Sequence, residues 1–311
     1  MTARLRLAAL CAAGLVACHQ PGRRPDLEAA VVAASASASA TDEAATSVAD
    51  DAGNTLRIDR PPRRIVSLNP TTTELLFALG AGDRLVGRTD ACDYPVAALR
   101  VASVGAWLPP NVEAVAARSP DLVLLYDGPT NAGARARLRS MGIPVLALRT
   151  DHLADVPRLA RLLGRVVGAD HAADSLARTF EAALGRLRRS AEPALAPGVL
   201  LLAWDQPLIV LGAGSFVSEL LELAGARNVF DDLSLPSAPV TLESVVARGP
   251  LAIVTVGAMS AGFASRPEWQ ALRAVRRHRL LALTESVFNR PSPRAPAAVA
   301  MLRHRLQPVL Q

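Results

Sequence analysis

Residues that bind metals or form catalytic clusters are scarce in this chain. Its 311 residues include 3 Cys and 5 His, and the histidines are dispersed along the sequence. A metal centre needs several such ligands close together, so no metal site is expected. The sequence also contains no Ser-His-Asp order, no phosphate-binding loop and no paired catalytic carboxylates. These absences argue against an enzyme, and no resident cofactor is expected.

Lysine is absent, and all 34 basic residues are arginines. The arginine runs at 186–189 and 273–279 have no interleaved aromatic residues, and aromatic residues make up only 4% of the whole chain. A nucleic-acid surface usually combines basic residues with a recognisable binding motif, and none is present. The runs therefore predict solvated helix faces, and no nucleic-acid partner is expected.

An apolar run long enough to cross a membrane permanently is also missing at the N-terminus. Arg4 and Arg6 precede a short apolar stretch at 7–16, which is typical of a cleaved leader. The stretch ends in Leu15-Val16-Ala17-Cys18, which resembles the bacterial lipobox. The resemblance implies a signal peptide over residues 1–17 and a lipid on Cys18 that anchors an extracytoplasmic protein to a membrane. An ordinary signal peptide with a chance cysteine is the alternative.

The positions of the cysteines and the local composition indicate the character of the chain after the leader. Cys11 leaves with the leader and Cys18 carries the lipid, so only Cys92 remains in the body and no internal disulfide can form. A small buried apolar role is favoured for Cys92 over metal ligation. Residues 18–62 comprise the lipidated cysteine and an Ala- and Ser-rich segment, which predicts a flexible tether.

Two motifs recur in the same order in the body of the chain. Glu113-Ala-Val-Ala-Ala-Arg118 returns as Glu243-Ser-Val-Val-Ala-Arg248, at an offset of 130 residues (243 − 113). Glu74-Leu-Leu matches Glu219-Leu-Leu at an offset of 145 (219 − 74). The recurrence predicts two similar lobes, each presenting an acidic residue at an equivalent place. Ligands bind preferentially in clefts between such lobes.

Short apolar runs alternate with amphipathic stretches through both lobes. Strands are predicted at residues 64–68, 85–87, 122–126, 144–148, 199–203, 252–256 and 280–283. Helices are predicted at residues 73–79, 135–141, 155–167, 170–190, 218–224 and 267–275, with a final helix at the C-terminus. Thr71 or Thr72 is expected to cap the first helix. This alternation is typical of sheets covered by helices on both faces.

The fold class is therefore α/β, with two Rossmann-like lobes bridged by a single long α-helix. The first lobe is assigned to residues 63–168, the bridging helix to 169–191 and the second lobe to 192–311. A rigid connector of this kind allows only a modest hinge between the lobes. A monomer is expected.

Several motifs together carry a resemblance to a known family. They are Arg64-Ile-Val-Ser-Leu-Asn-Pro-Thr-Thr-Thr-Glu-Leu-Leu, Cys92-Asp-Tyr-Pro, Trp107, Asn111-Val-Glu113 with Ser119-Pro-Asp-Leu-Val, Asn228-Val-Phe, Glu243 and Phe288-Asn-Arg-Pro-Ser-Pro-Arg294. With these, residues 63–308 resemble the periplasmic binding proteins for vitamin B12, haem and ferric siderophores, which are the capture subunits of ABC importers. The Asp-Tyr-Pro motif and Trp107 point within that family to the vitamin B12 binders. The resemblance implies two α/β lobes joined by one helix.

The resemblance also implies a set of ligand-contacting residues. They are Asp93, Tyr94, Trp107, Trp204, Ser286, Phe288, Asn289 and Arg290. The alternatives from the residues themselves are a turn at Asp93 to Pro95, with Tyr94 covering a strand end, packing of Trp107 within its own lobe and a surface ion pair for Arg290. The sequence departs from the vitamin B12 binders where Ala91 replaces an aromatic residue and Ser286 an acidic one. Trp204 is the candidate replacement for a tryptophan those proteins carry near 236–239.

Glu113 and Glu243 look like the two family glutamates that insert into arginine pockets on a permease dimer. Each follows a cap residue, Asn111 or Thr241, and lies in the first turn of a short predicted helix. A first-turn glutamate also favours the dipole of its own helix, which is the alternative role. Two such glutamates at equivalent repeat positions favour docking, since they match a twofold pair of arginine clusters.

These observations predict a lipid-anchored binding protein that delivers a corrinoid, cobalamin-like ligand to an ABC importer. Haem or a ferric siderophore is the alternative ligand with the same machinery. An anchored scavenger or sensor without a permease is the alternative from another class of protein.

Overall fold

The computed structural model describes residues 45–190, 196–257 and 259–311. The predicted leader at 1–17, the lipidation site at Cys18 and the first part of the tether lie outside the described residues. No helix within those described ranges combines the length and the apolarity that a bilayer crossing requires.

A β-hairpin occupies the end of the predicted tether. Its antiparallel strands are β1 (Thr46–Ala49) and β2 (Thr55–Ile58). In the turn between them, the Asp51 N–H donates to the carbonyl of Ala147 at 2.9 Å, and the Asp51 carboxylate pairs with Arg158 at 2.8 Å. These contacts fasten the hairpin to the first lobe. The prediction of a flexible tether through residue 62 is therefore wrong for the hairpin.

The first lobe is built on a four-stranded parallel sheet. Its strands are β3 (Ile65–Ser67), β4 (Leu85–Arg88), β5 (Leu122–Tyr126) and β6 (Val145–Leu148), and its helices are α1 (Pro70–Ala78), α2 (Val112–Ala116) and α3 (Ala132–Ser140). The strand order is β4-β3-β5-β6. The strands are rich in Val, Ile and Leu because both faces of a parallel sheet are buried. All four strands lie where the sequence predicted them.

Helix α1 begins earlier than predicted because Asn69 caps it. The Asn69 Oδ1 accepts the N–H of Thr71 at 2.9 Å. Pro70 is the first helical residue, and it has no N–H that would need a partner. The Thr72 hydroxyl donates to the carbonyl of Asn69 at 2.9 Å. The prediction of Thr71 or Thr72 as the cap is therefore wrong.

The first lobe ends in α4 (Asp155–Val167), which packs against the next helix, α5 (Asp170–Arg189). Gly168 separates them in a left-handed conformation, with φ 70°. A Cβ on Gly164 would lie 2.3 Å from the Cβ of Ala173, so a glycine is needed where the helices approach each other. Helix α5 is the long bridging helix that the sequence predicted, and the second lobe follows it.

The second lobe repeats the pattern around a mixed sheet. Its elements are β7 (Gly198–Asp205), β8 (Leu208–Leu211), α6 (Phe216–Leu223), β9 (Arg227–Asn228), β10 (Ser237–Pro239), α7 (Leu242–Arg248), β11 (Ala252–Val256), α8 (Arg273–Arg276), β12 (Leu280–Leu283) and α9 (Ala295–Leu310). The order is β10-β8-β7-β11-β12, with β9 beside β7. Strands β7, β11 and β12 run parallel, as β3, β5 and β6 do. The antiparallel strands β8 and β10 are an addition that the sequence did not predict.

One apolar core runs through both lobes and the helices between them. It contains Leu124 of β5, Phe180 of α5, Leu201 of β7 and Leu302 of α9. Each sheet also has a smaller apolar cluster on its other face. Because interiors are close-packed, a shared core of this kind holds the lobes in a defined arrangement.

Candidate ligand-binding cleft

A cavity of about 560 Å³ lies between the two lobes. Its walls come from the end of β5 and the loops after β3, β4 and β6 in the first lobe, and from the loops after β8, β9 and β12 in the second. Parallel α/β sheets usually bind ligands at the carboxyl ends of their strands. The volume falls within the usual range for ligand pockets, roughly 300–1,000 Å³. This cleft is therefore the candidate functional site.

Two of the predicted first-lobe residues, Asp93 and Trp107, line the cleft. The Trp107 side chain keeps 39% of its surface exposed, so its indole is available to a ligand. Tyr94 does not line the cleft. Its ring packs against the Arg294 guanidinium, whose central carbon lies 3.9 Å from the ring centroid. The structure thus gives Tyr94 a contact between the lobes instead of a place on the cleft wall.

In the second lobe, the predicted residues Ser286, Asn289 and Arg290 line the cleft, whereas Phe288 does not. Phe288 is fully buried in the core that runs through both lobes. In the turn at 286–288, Val287 and Phe288 are both buried in this core, whereas Ser286 and the following Asn289 line the cleft. Phe288 is therefore a core residue in this structure.

Trp204 also lies away from the cleft. It belongs to β7 rather than to the following loop, and its side chain is 49% exposed. Its indole N–H donates to the carbonyl of Gln206 at 2.7 Å. Trp204 therefore does not replace the missing second-lobe tryptophan on the cleft wall.

The guanidinium of Arg290 is engaged by groups of the first lobe. Its Nε donates to Glu74 at 2.8 Å and its Nη1 to the carbonyl of Ala91 at 3.1 Å, while Nη2 pairs with Asp93. Burial opposes its charge, but the hydrogen bonds that Arg290 donates to Asp93 and Glu74 outweigh this and raise the pKa of Arg290. Burial would likewise raise the pKa of Asp93, and the bond and charge of Arg290 lower it instead. Both groups are therefore ionised and paired at neutral pH.

Tyr126 and Asp151 form a second polar feature of the wall, which the sequence analysis missed. The Tyr126 hydroxyl donates to Asp151 Oδ1 at 2.7 Å, and both residues line the cleft. Burial, together with the hydrogen bond and charge of Asp151, raises the pKa of Tyr126 to about 12. Tyr126 ends β5 and Asp151 follows β6. Their positions at the carboxyl ends of adjacent parallel strands are the signal that could have identified them.

A glycine turn shapes the second-lobe wall. Gly214 lines the cleft beside Pro236, and a Cβ on Gly214 would lie 2.3 Å from the carbonyl oxygen of Ser234. Only a residue without a side chain fits this close approach of two backbone segments. Ser215 follows, and its hydroxyl accepts the N–H of Ser218 at 3.2 Å, which caps α6. This glycine turn is thus part of the cleft wall.

Glu113 and Glu243 occupy equivalent places at the starts of α2 and α7. Asn111 caps α2 by accepting the N–H of Ala114 at 2.9 Å, and Thr241 caps α7 through Ser244 at 3.3 Å. Both glutamates are exposed. Hydrogen bonds from the Glu243 backbone and the Thr241 side chain lower the pKa of Glu243. Both carboxylates are therefore available for contacts outside the chain.

The chain matches the family model described as periplasmic binding protein over residues 65–287. The vitamin B12-binding protein of Pectobacterium carotovorum subsp. carotovorum (strain PC1) is 30% identical over 247 residues, which cover 79% of this chain and 88% of that protein. The family match therefore runs from the first strand of the first lobe to the turn that follows the last strand of the second.

Solved structures show the same two-lobed fold. The periplasmic vitamin B12-binding protein of Vibrio cholerae has a TM-score of 0.67 and 28% identity, covering 81% of this chain and 99% of that chain. A periplasmic haem-binding protein of Pseudomonas aeruginosa has a TM-score of 0.69 and 26% identity, covering 79% and 93%. The predicted fold class and family are confirmed. Proteins of this kind bind solutes outside the cytoplasm and are not a class of enzymes, and this chain belongs to the periplasmic binding protein family.

Proposed function

We propose that this chain captures a corrinoid, a ligand of the cobalamin type, between its lobes and delivers it to an ABC importer. The observation that carries the proposal is the hydrogen-bonding polarity of the cleft wall. Several hydroxyls of the lining residues already donate to acceptors of the protein itself, so their oxygens can only accept further hydrogen bonds.

Three wall hydroxyls illustrate this polarity. Thr71 donates to the carbonyl of Pro291 at 2.7 Å, Ser215 donates to the carbonyl of Gly212 at 2.8 Å, and Tyr126 donates to Asp151. A hydroxyl that has donated its proton can only accept a further bond. The wall therefore suits a ligand that brings its own N–H donors.

The charges on the wall favour the same class of ligand. Within the described part of the chain, the charged residues lining the cleft are Asp93, Asp151 and Arg290, and Arg290 is paired with Glu74 and Asp93. Corrins carry many amide side chains, which donate N–H bonds to such acceptors. Haem carries carboxylates and ferric siderophores carry anionic oxygens, and burying these against carboxylates without a free cation is costly.

Trp107 supplies an apolar surface for a flat ring. An exposed indole at a cleft wall can stack on a macrocycle, and aromatic contacts of this kind contribute roughly 0.5–1.5 kcal/mol beyond the area they bury. The relatives named for vitamin B12 binding agree with this assignment. A structural relative is named for haem binding, so the choice of a corrinoid rests on the polarity of the cleft wall and not on the fold.

Titration of the purified protein with cyanocobalamin, haemin and a ferric siderophore tests the proposal. We expect saturable binding of cyanocobalamin by calorimetry and by tryptophan fluorescence, and we expect Trp107→Ala to weaken it by about tenfold. Trp204→Ala is the matched control and leaves the affinity unchanged, because Trp204 lies away from the cleft. Saturable binding of haemin alone would overturn the proposal.

Two further parts of the assignment concern partners. Glu113 and Glu243 are proposed to insert into arginine pockets of a permease dimer, supported by their exposure and their equivalent places in the repeat. Charge-assisted bonds at two symmetric points would set the orientation of the docked protein.

The membrane anchor is proposed at Cys18, supported by the sequence Leu15-Val16-Ala17-Cys18. Cells grown with radiolabelled palmitate should incorporate label into the protein and retain it in the membrane fraction. Cys18→Ser should lose both the label and the membrane retention. Labelled protein in the Cys18→Ser strain would place the lipid elsewhere.

A further inference from the structure

The Tyr126–Asp151 pair stands between two cavities. Both residues line the large cleft, and both also line a neighbouring cavity of about 320 Å³. Each residue of the pair is fixed by a hydrogen bond at its backbone. The Asn131 side chain donates to the carbonyl of Tyr126 at 2.9 Å, and the Asp151 N–H donates to Asp155 at 2.9 Å. The pair is thus a fixed part of the wall.

We propose that Tyr126 and Asp151 form a selectivity pair that accepts amide donors of a corrinoid and denies ferric haem a phenolate ligand. This inference rests on the proposed function for its corrinoid part. Its haem part concerns the chemistry of Tyr126 itself and can be tested without any corrinoid.

The acceptor role follows from the direction of the hydrogen bond. The Tyr126 proton is donated to Asp151 Oδ1, so the phenolic oxygen offers only lone pairs to a ligand. Among the described residues, hydrogen bonds to the Asp151 side chain involve Oδ1 only, which leaves Oδ2 to accept from a ligand. Two adjacent oxygens then suit a primary amide, which has two N–H donors.

The exclusion of ferric haem follows from the charges around the phenol. Iron in haem can be held by a tyrosine oxygen, and that requires the phenol to lose its proton to solvent. Burial and the hydrogen bond and charge of Asp151 oppose this loss most strongly, Asp127 adds to them, and Arg149 favours it. Arg135 lies in the wall of the neighbouring cavity and is paired with Asp127. Removing the proton from Tyr126 therefore costs more than removing it from an ordinary phenol, which disfavours binding of ferric iron as a phenolate.

Tyrosine ionisation in the ligand-free protein is the first test. The chain has only two tyrosines, so Tyr94→Phe leaves the ultraviolet signal of Tyr126 alone. We expect Tyr126 to remain mostly protonated at about pH 11, where an ordinary phenol is mostly ionised, while circular dichroism shows that the protein is folded. Asp151→Asn should lower the midpoint towards the ordinary value.

Ligand titrations of the same variants are the second test. Asp151→Asn should weaken cyanocobalamin binding by about tenfold. The same variant should gain haemin binding with the charge-transfer absorbance of a ferric phenolate, and the double variant with Tyr126→Phe should lose that absorbance. Asp83→Asn is the matched control, because it removes the same charge from an exposed site of the first lobe.

The outcomes separate the two proposals. An ordinary ionisation midpoint for Tyr126 in the folded parent protein would overturn the selectivity pair, as would an Asp151→Asn variant with no change in either ligand. A raised midpoint with a gained haemin phenolate in Asp151→Asn would support the pair even if the parent protein bound no cyanocobalamin. In that case the proposed function and the corrinoid part of this inference would fall, and its haem part would stand.

Discussion

Replacing Glu74 by Gln is expected to lower the free energy of unfolding by about 3–5 kcal/mol. The Glu74 side chain is only 2% exposed, and it accepts hydrogen bonds from Arg290 at 2.8 Å and from Arg294 at 2.6 Å. Glu74 belongs to α1 of the first lobe, whereas both arginines follow β12 of the second. Its loss would leave two partly buried cations without their shared anion. Urea unfolding would measure the loss, and the slope of the unfolding free energy against urea concentration should not change.

Glu219 provides the matched control, because it occupies the repeat-equivalent position in α6. Glu219 belongs to the second lobe and contacts the first, where its carboxylate lies 2.7 Å from His152 Nδ1 and accepts the N–H of Leu153 at 3.2 Å, in the loop after β6. The His152 side chain is 51% exposed, and exposed pairs contribute only about 0–1 kcal/mol. Glu219→Gln should therefore cost far less than Glu74→Gln. Equal losses of stability in the two variants would contradict the explanation that the cost of Glu74→Gln comes from burial of its ion pairs.

The two glutamates also explain the second sequence repeat. Glu74, in α1 of the first lobe, contacts the loop after β12, the last strand of the second lobe. Glu219, in α6 of the second lobe, contacts the loop after β6, the last strand of the first lobe. The repeat at 74 and 219 therefore marks reciprocal contacts between the lobes. Such a role could not be read from the sequence, because the partners of Glu74 lie more than two hundred residues away.

Elements with strong local patterns were predicted well. Runs such as 122–126 and 252–256 are almost wholly apolar and are flanked by turns, which is typical of buried parallel strands. The helix at 155–167 was predicted to the residue, since its apolar stripe ends at Gly168. Strands β8 and β10 were missed because a short antiparallel pair depends on its neighbours in the sheet more than on its own pattern.

The hairpin at the start of the described chain was missed for a related reason. Its strands are four residues long, and the contacts that hold them are made to distant parts of the first lobe, including Arg158. Composition alone described the segment as Ala- and Ser-rich. An isolated hairpin is marginal in water, so only the lobe beneath it accounts for its order.

The cleft was partly predictable. The family resemblance predicted that Trp107, Asp93 and Arg290 contact the ligand, and all three line the cleft. Phe288 was misplaced because neighbouring residues in a tight turn point in different directions, and the sequence does not say which one faces the core. The bonds of Arg290 to Glu74 and Asp93 join residues from opposite ends of the chain, and no local pattern reveals them.

Reversing both docking charges, Glu113→Arg with Glu243→Arg, is expected to lower transport into cells by on the order of 100-fold or more. Losing one partner of a hydrogen-bonded charge pair costs about 2–5 kcal/mol, and each 1.4 kcal/mol is about tenfold. Ligand affinity should not change, because both glutamates lie at exposed helix starts and not on the cleft wall. Uptake of labelled ligand and calorimetry on the same variant measure the two quantities separately.

Asp59→Arg is the control for the charge reversal. Among the residues that the structure describes, Asp59 is paired only with Arg57, in a bridge whose side chains are 74% and 76% exposed, and such pairs contribute little. Normal uptake in the double docking variant would argue for an anchored scavenger or sensor that uses no permease. The two single reversals add a sharper test, because a twofold permease has equivalent arginine pockets. Glu113→Arg and Glu243→Arg should therefore weaken transport to a similar degree, and a defect from only one of them would mean that the sequence repeat is not matched by a repeated contact.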